Sequence, residues 1–125
     1  MRKHILLFAI LVAGIIGIPG CASDNAELKR DAGEIAGVMC RSIEAMRNLK
    51  STDPADSALV MKLQSEHDAV EAEMTALYAD FRKKWGEKIS DKQFGDEFRK
   101  YLNEAMLDCK SLSKEDRENF ERGVE

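Results

Sequence analysis

Helix-breaking residues are scarce in this chain of 125 residues. It has two prolines, Pro19 and Pro54, and only five of its eight glycines lie beyond residue 20. The long segments between these breakers are rich in Ala, Glu, Lys, Leu, Met and Arg, which favour helix. No stretch alternates apolar and polar residues in the way that a half-buried strand does. These absences argue against a β-sheet protein and predict an all-α fold.

Sequence motifs for catalysis and for common cofactors are also missing. The chain has no Gly-rich phosphate loop, no closely spaced CxxC or HxxxH pair, and no second histidine beyond residue 20 to join His67 in a di-metal site. Ser65 precedes Glu66 and His67, but neighbours in sequence do not face each other on a helix, so they form no nucleophile–base pair. We therefore predict that the chain is not an enzyme and binds no cofactor.

The first 20 residues contain the longest apolar run. Met1, Arg2, Lys3 and His4 form a basic head, and residues 5–18 carry no charge. Crossing the hydrocarbon core of a membrane takes about 20 apolar residues, so this run is too short for a comfortable span. A basic head, a short apolar middle and an exit of small residues are typical of a signal peptide. We predict that residues 1–20 are a signal peptide that is removed.

The exit of this segment resembles the lipobox of bacterial lipoprotein precursors. It reads Ile18-Pro19-Gly20-Cys21, in which three positions fit the lipobox and Pro19 departs from it. The resemblance implies that Cys21 receives a diacylglyceryl group, becomes the acylated N-terminus and anchors the chain in a membrane. Ala22 stands where Asp signals inner-membrane retention in enterobacterial sorting, which favours the outer membrane of the cell envelope. The alternatives are an ordinary secreted protein cut near this point and an uncleaved anchor.

The predicted mature chain, residues 21–125, is acidic. Removing residues 1–20 takes away two basic residues and no acidic ones, which leaves 17 basic and 23 acidic residues and a net charge of −6. This charge argues against electrostatic binding of nucleic acid or of anionic lipid headgroups. We expect residues 21–24 to be a short tether after the lipid and residues 25–125 to form one small helical domain.

Apolar residues at three- and four-residue spacing indicate four helices. The first is predicted over residues 25–49 and the second over 54–85, with Asp53 as the N-cap of the second. The third follows a capping box at Ser90 and Gln93 and runs to residue 112, and a short fourth helix follows Ser113. Because short connections make neighbouring helices antiparallel, we predict an up-down-up three-helix bundle with a short C-terminal fourth helix.

Once Cys21 is assigned to lipid, Cys40 and Cys109 remain as a pair. A lipoprotein body faces the periplasm or the exterior, where disulfides persist. The predicted turns place Cys40 opposite about residue 64 of the second helix and Cys109 opposite about residue 67, so both cysteines reach the level of His67. We predict a Cys40–Cys109 disulfide with His67 beside it. The alternatives are two buried free thiols, or a zinc or copper(I) site of Cys40, His67 and Cys109.

These features together predict a lipid-anchored helical protein of the cell envelope that serves as an interaction or structural module. The membrane is its expected partner through Cys21, with a further protein partner and no nucleic acid. In general plan the chain resembles small helical bacterial lipoproteins with paired cysteines. The alternative function is a carrier of a small ligand or soft metal at the level of Cys40, His67 and Cys109.

Overall fold

The computed structural model describes residues 24–123, and every regular element in this range is helical. The elements are α1 (Asp24–Ser51), α2 (Ser57–Trp85), a 3-10 turn (Gly86–Ser90), α3 (Lys92–Met106) and α4 (Lys114–Arg122). The predicted all-α bundle with a short C-terminal helix is confirmed. No helix within the described range is long and apolar enough to cross a membrane. The predictions for the signal peptide and for Cys21 concern residues outside this range.

Helix α1 is the central element, because α2 and α3 both pack against it. Its buried side chains follow the predicted apolar stripe: Leu28, Ala32, Ile35, Ala36 and Val38. The acidic side chains of its first turn and Lys50 in its last turn have the signs that the helix dipole favours. Helix α2 returns antiparallel to α1, and α3 then runs parallel to α1 and packs against it.

Aromatic side chains form the contact between α2 and α3. Phe81 of α2 lies 4.7 Å from Phe98 of α3, and Trp85 of α2 lies 5.2 Å from Phe94, measured between ring centroids, with the rings tilted against each other. These rings pack on the apolar residues of the first half of α1. A second cluster continues the core on the α3 side of α1, with Ala36, Met106, Cys109, Leu112 and, from α4, Phe120.

The helix starts are fixed by side-chain caps, only one of which the sequence predicts correctly. The side-chain oxygens of Asp56, Asp91 and Ser113 accept the backbone N–H groups of Leu59, Phe94 and Asp116, respectively. Of these three, only Ser113 stands at a helix start that the sequence predicts. Asp53 instead accepts a hydrogen bond from the N–H of Ala55 inside the turn, so α2 begins three residues later than predicted. Ser90 ends the 3-10 turn and leaves the capping position to Asp91.

Helix α3 ends at Met106, well before the predicted residue 112. The guanidinium group of Arg117, on α4, donates hydrogen bonds to the carbonyl oxygens of Leu107 and Cys109, at 2.6 and 3.0 Å. Both carbonyl groups belong to the turn that follows the helix, so Arg117 holds this turn in place. A contact across the chain therefore stabilises an early helix end and folds α4 back against α3.

Candidate functional site

The structure joins Cys40 of α1 to Cys109, which lies in the turn after α3. The disulfide has an S–S distance of 2.00 Å and a Cα–Cα distance of 5.7 Å. Cys109 is buried beside Ala36, Met106 and Leu112 in the second core cluster. The predicted pairing is therefore present, and it ties the C-terminal segment to the middle of α1. Both sulfur atoms are used in this bond, so neither is a free thiol.

His67 does not lie at the level of the disulfide. The α1–α2 contacts join Ser42 to Glu71, with 2.7 Å between Oγ and Oε1, and Asp31 to Lys84, with 2.6 Å between Oδ2 and Nζ. This register places Cys40 opposite about residue 74 of α2, roughly 10 Å along the helix axis from His67. The predicted register was wrong because α2 starts at Ser57 and its first turns extend beyond the end of α1.

The alternative of a metal site at Cys40, His67 and Cys109 also disagrees with the geometry. No group of three or more His, Cys, Asp or Glu side chains between residues 24 and 123 is arranged to hold a metal ion. His67 has its ring nitrogens 3.8 Å from Asp68 and 3.7 Å from Glu71, both on its own helix. The structure thus brings the two cysteines together and leaves the histidine apart.

The first candidate surface is the end of the α1–α2 pair at which the two helices are connected. We call it the hairpin end and define it as residues 43–70. Helix α3 is too short to cover it. No residue between Val38 and Phe81 is buried. Three large apolar side chains are exposed here: Met61 at 73 %, Met46 at 41 % and Leu59 at 40 %. Exposed apolar side chains grouped at one end of a small domain are typical of an interaction surface.

A shallow groove on α1 continues this surface. Ser42, Ile43, Met46, Arg47 and Lys50 line its volume of ≈ 360 Å³. The guanidinium group of Arg47 donates to the carbonyl oxygen of Ser111, which fixes one edge of the groove against the C-terminal segment. The apolar stripe of α1 therefore continues past the point where α3 and the disulfide stop covering it.

The opposite end of the bundle contains a polar network around Asp31. Its carboxylate accepts hydrogen bonds from Nζ of Lys84 at 2.6 Å and from the indole Nε1 of Trp85 at 3.0 Å. Lys84 also pairs with Glu27 at 3.1 Å. Burial, the largest single effect, raises the pKa of Asp31, but the hydrogen bonds from Lys84 and Trp85 and the nearby positive charges together hold that pKa below its ordinary value.

Sequence reasoning missed this network, although the sequence contains a signal for it. Asp31 lies three residues after Leu28 and four residues before Ile35, and therefore on the buried stripe of α1. A carboxylate on an apolar stripe needs a cationic or hydrogen-bonding partner from a neighbouring helix. Here the partners are Lys84 and Trp85 at the end of α2.

Comparison of the chain with protein-family models, with curated proteins and with solved structures gives no match.

Proposed function

We propose that this chain is a lipid-anchored protein of the bacterial cell envelope that holds a partner protein at its hairpin end. The lipobox-like Ile18-Pro19-Gly20-Cys21 motivates the anchor, and Ala22 favours the outer membrane. Helix α1 begins at Asp24, only three residues after Cys21. Three residues reach at most about 10 Å, so a lipid on Cys21 would keep the start of α1 at the membrane surface.

The exposed apolar side chains of the hairpin end are the observation that supports partner binding. Helix α1 has 28 residues, so its last turn lies about 40 Å from its first. Met46, Leu59 and Met61 would thus be displayed away from the bilayer, where another envelope protein can reach them. Their exposure is unfavourable in the free protein and would be relieved by a complementary apolar surface.

The anchor is tested by Cys21→Ser in the full-length chain. We expect the change to abolish acyl incorporation and to release the protein from membranes or stall the precursor. Mass spectrometry of the purified protein and fractionation of cells are the measurements. An unchanged mass together with unchanged membrane fractionation would contradict the lipoprotein proposal.

The interaction surface is tested separately by site-specific photo-crosslinking in cells. A photoreactive residue at Met61 should give a defined adduct, and the same residue at exposed Lys110 is the matched control. The change Met46→Glu should remove the Met61 adduct without changing the circular dichroism spectrum, because Met46 is already exposed. Equal adducts from both positions, or an adduct that survives Met46→Glu, would contradict partner binding at the hairpin end.

A further inference from the structure

The most basic stretch of the described chain lies at the end of the bundle opposite the hairpin end, where acidic residues of α1 neutralise part of its charge. We call this region the connection end and define it as residues 82–92. It contains five basic and two acidic residues, a net charge of +3, in a predicted mature chain whose net charge is −6. Lys88 in this segment pairs with Asp24 at 3.0 Å, so the connection end lies beside the first residue of α1. The most basic stretch is therefore next to the tether that leads to Cys21.

Two of these basic side chains are available for an external partner. Lys84 and Lys88 are engaged by acidic residues of α1, and Lys92 pairs with Asp96 on its own helix. Arg82 and Lys83 are exposed in the last turn of α2, and the described part of the chain provides neither with an ion-pair partner within 4.0 Å.

An exposed apolar side chain lies beside Arg82, the first of these two cations. Ile89 in the 3-10 turn is 39 % exposed. It borders a groove of ≈ 210 Å³ between α2 and α3, together with Arg82 and the aromatic residues Tyr78, Phe81, Phe94 and Phe98. Basic side chains beside an exposed apolar group are the combination that binds the headgroup region of an anionic bilayer.

We infer that the connection end docks on the membrane surface, with Arg82 and Lys83 on the phosphates of anionic lipids and Ile89 inserted among the headgroups. The inference rests on the proposed anchor at Cys21. A tether of three residues holds this end within about 10 Å of the bilayer, comparable with the distance over which salt screens charge. Tethering makes docking an intramolecular event, so the two exposed cations Arg82 and Lys83 act there despite the overall charge of −6.

The chain's single tryptophan provides a direct test. Trp85 lies within the connection end, so lipids brominated near the headgroup should quench its fluorescence when the processed full-length protein is reconstituted in vesicles. We expect strong quenching with phosphatidylglycerol present and weaker quenching in phosphatidylcholine alone. The double variant Arg82→Glu/Lys83→Glu should lose the excess quenching. The matched variant Lys50→Glu/Lys62→Glu, with the same charge change at the hairpin end, should retain it.

A second variant gives the distance control. Trp85→Phe/Met61→Trp moves the tryptophan to the hairpin end, where we expect no quenching by the same lipids. Mass spectrometry of each preparation reports lipidation of Cys21 separately. A lipidated protein with equal quenching from positions 85 and 61, or with quenching unchanged by Arg82→Glu/Lys83→Glu, would overturn the docking inference alone. An unlipidated Cys21 would overturn the anchor and the docking together.

Discussion

At the scale of single residues, Asp31 shows how burial and pairing compete. Its side chain is only 13 % exposed and accepts hydrogen bonds from Lys84 and Trp85. Because its pKa is lower in the folded chain than the ordinary value of 3.8, its ionised form stabilises the fold above that pH, and the contribution is lost as the pH falls through the folded pKa. This carboxylate therefore links the α1–α2 pair to pH in the acidic range.

The change Asp31→Asn should lower the free energy of unfolding at pH 7 by about 1 kcal/mol, because it removes the charge opposite Lys84 and preserves the shape of the side chain. Thermal unfolding from pH 7 down to pH 2.5 is the measurement. The melting temperatures of wild type and variant should converge below pH 3.8. Curves that stay parallel over the whole range would show that the Asp31 charge contributes nothing.

His67 differs from Asp31, because its ring nitrogens are shielded from solvent without being paired inside the described part of the chain. The side chain is 15 % exposed, and neither ring nitrogen has a hydrogen-bond partner among the described residues. Replacement by an apolar side chain of similar size therefore removes an unfavourable burial. We expect His67→Leu to leave stability unchanged or to raise it by about 1 kcal/mol, and His67→Ala to be less stable than His67→Leu.

Urea unfolding of the three proteins measures this difference. If His67→Leu were more destabilising than His67→Ala, the imidazole ring would make a favourable interaction that an apolar side chain cannot replace.

At the scale of elements, the sequence predicts the helices better than their ends and register. The stripes of α1 and α2 are visible because their apolar residues repeat at helical spacing over seven turns or more. The end of α3 depends on Arg117 reaching back to Leu107 and Cys109, a contact between segments that no local pattern contains. The register of the α1–α2 pair likewise depends on where the turn ends, and Asp56, not Asp53, caps α2.

The disulfide is the cross-link between α1 and the segment that follows α3. Its two cysteines are separated by 69 residues in sequence, so the bond restricts the unfolded chain strongly. We expect Cys40→Ser/Cys109→Ser to lower the free energy of unfolding by up to about 4 kcal/mol. Thermal unfolding with and without reductant measures the effect, and the double variant should be insensitive to reductant. A wild-type protein whose two thiols are alkylated without reductant would contradict the bond.

At the scale of the whole molecule, the bundle divides into a covered body and an uncovered hairpin end. Composition predicts an all-α domain, and the oxidising compartment that the lipobox-like motif implies predicts the pairing of Cys40 with Cys109. The division itself depends on the relative lengths of the helices. Helix α3 has 15 residues and α2 has 29, so α3 covers only part of the α1–α2 pair. Those lengths follow from caps and cross-chain contacts, which explains why the candidate surface was not predicted as a site.

This division predicts uneven stability along one continuous helix. Helix α2 begins in the hairpin end, where no residue is buried, and ends in the body with the buried Phe81 and Trp85. Backbone hydrogen bonds open locally where few buried apolar contacts oppose the opening, so amides over 60–68 should exchange roughly tenfold or more faster than those over 77–85. Hydrogen–deuterium exchange with peptide-level mass spectrometry tests this within the same helix. Because the disulfide stabilises only the body, Cys40→Ser/Cys109→Ser should speed exchange over 77–85 and change 60–68 little. Equal protection along α2 would contradict the division and would require the hairpin end to be covered in solution.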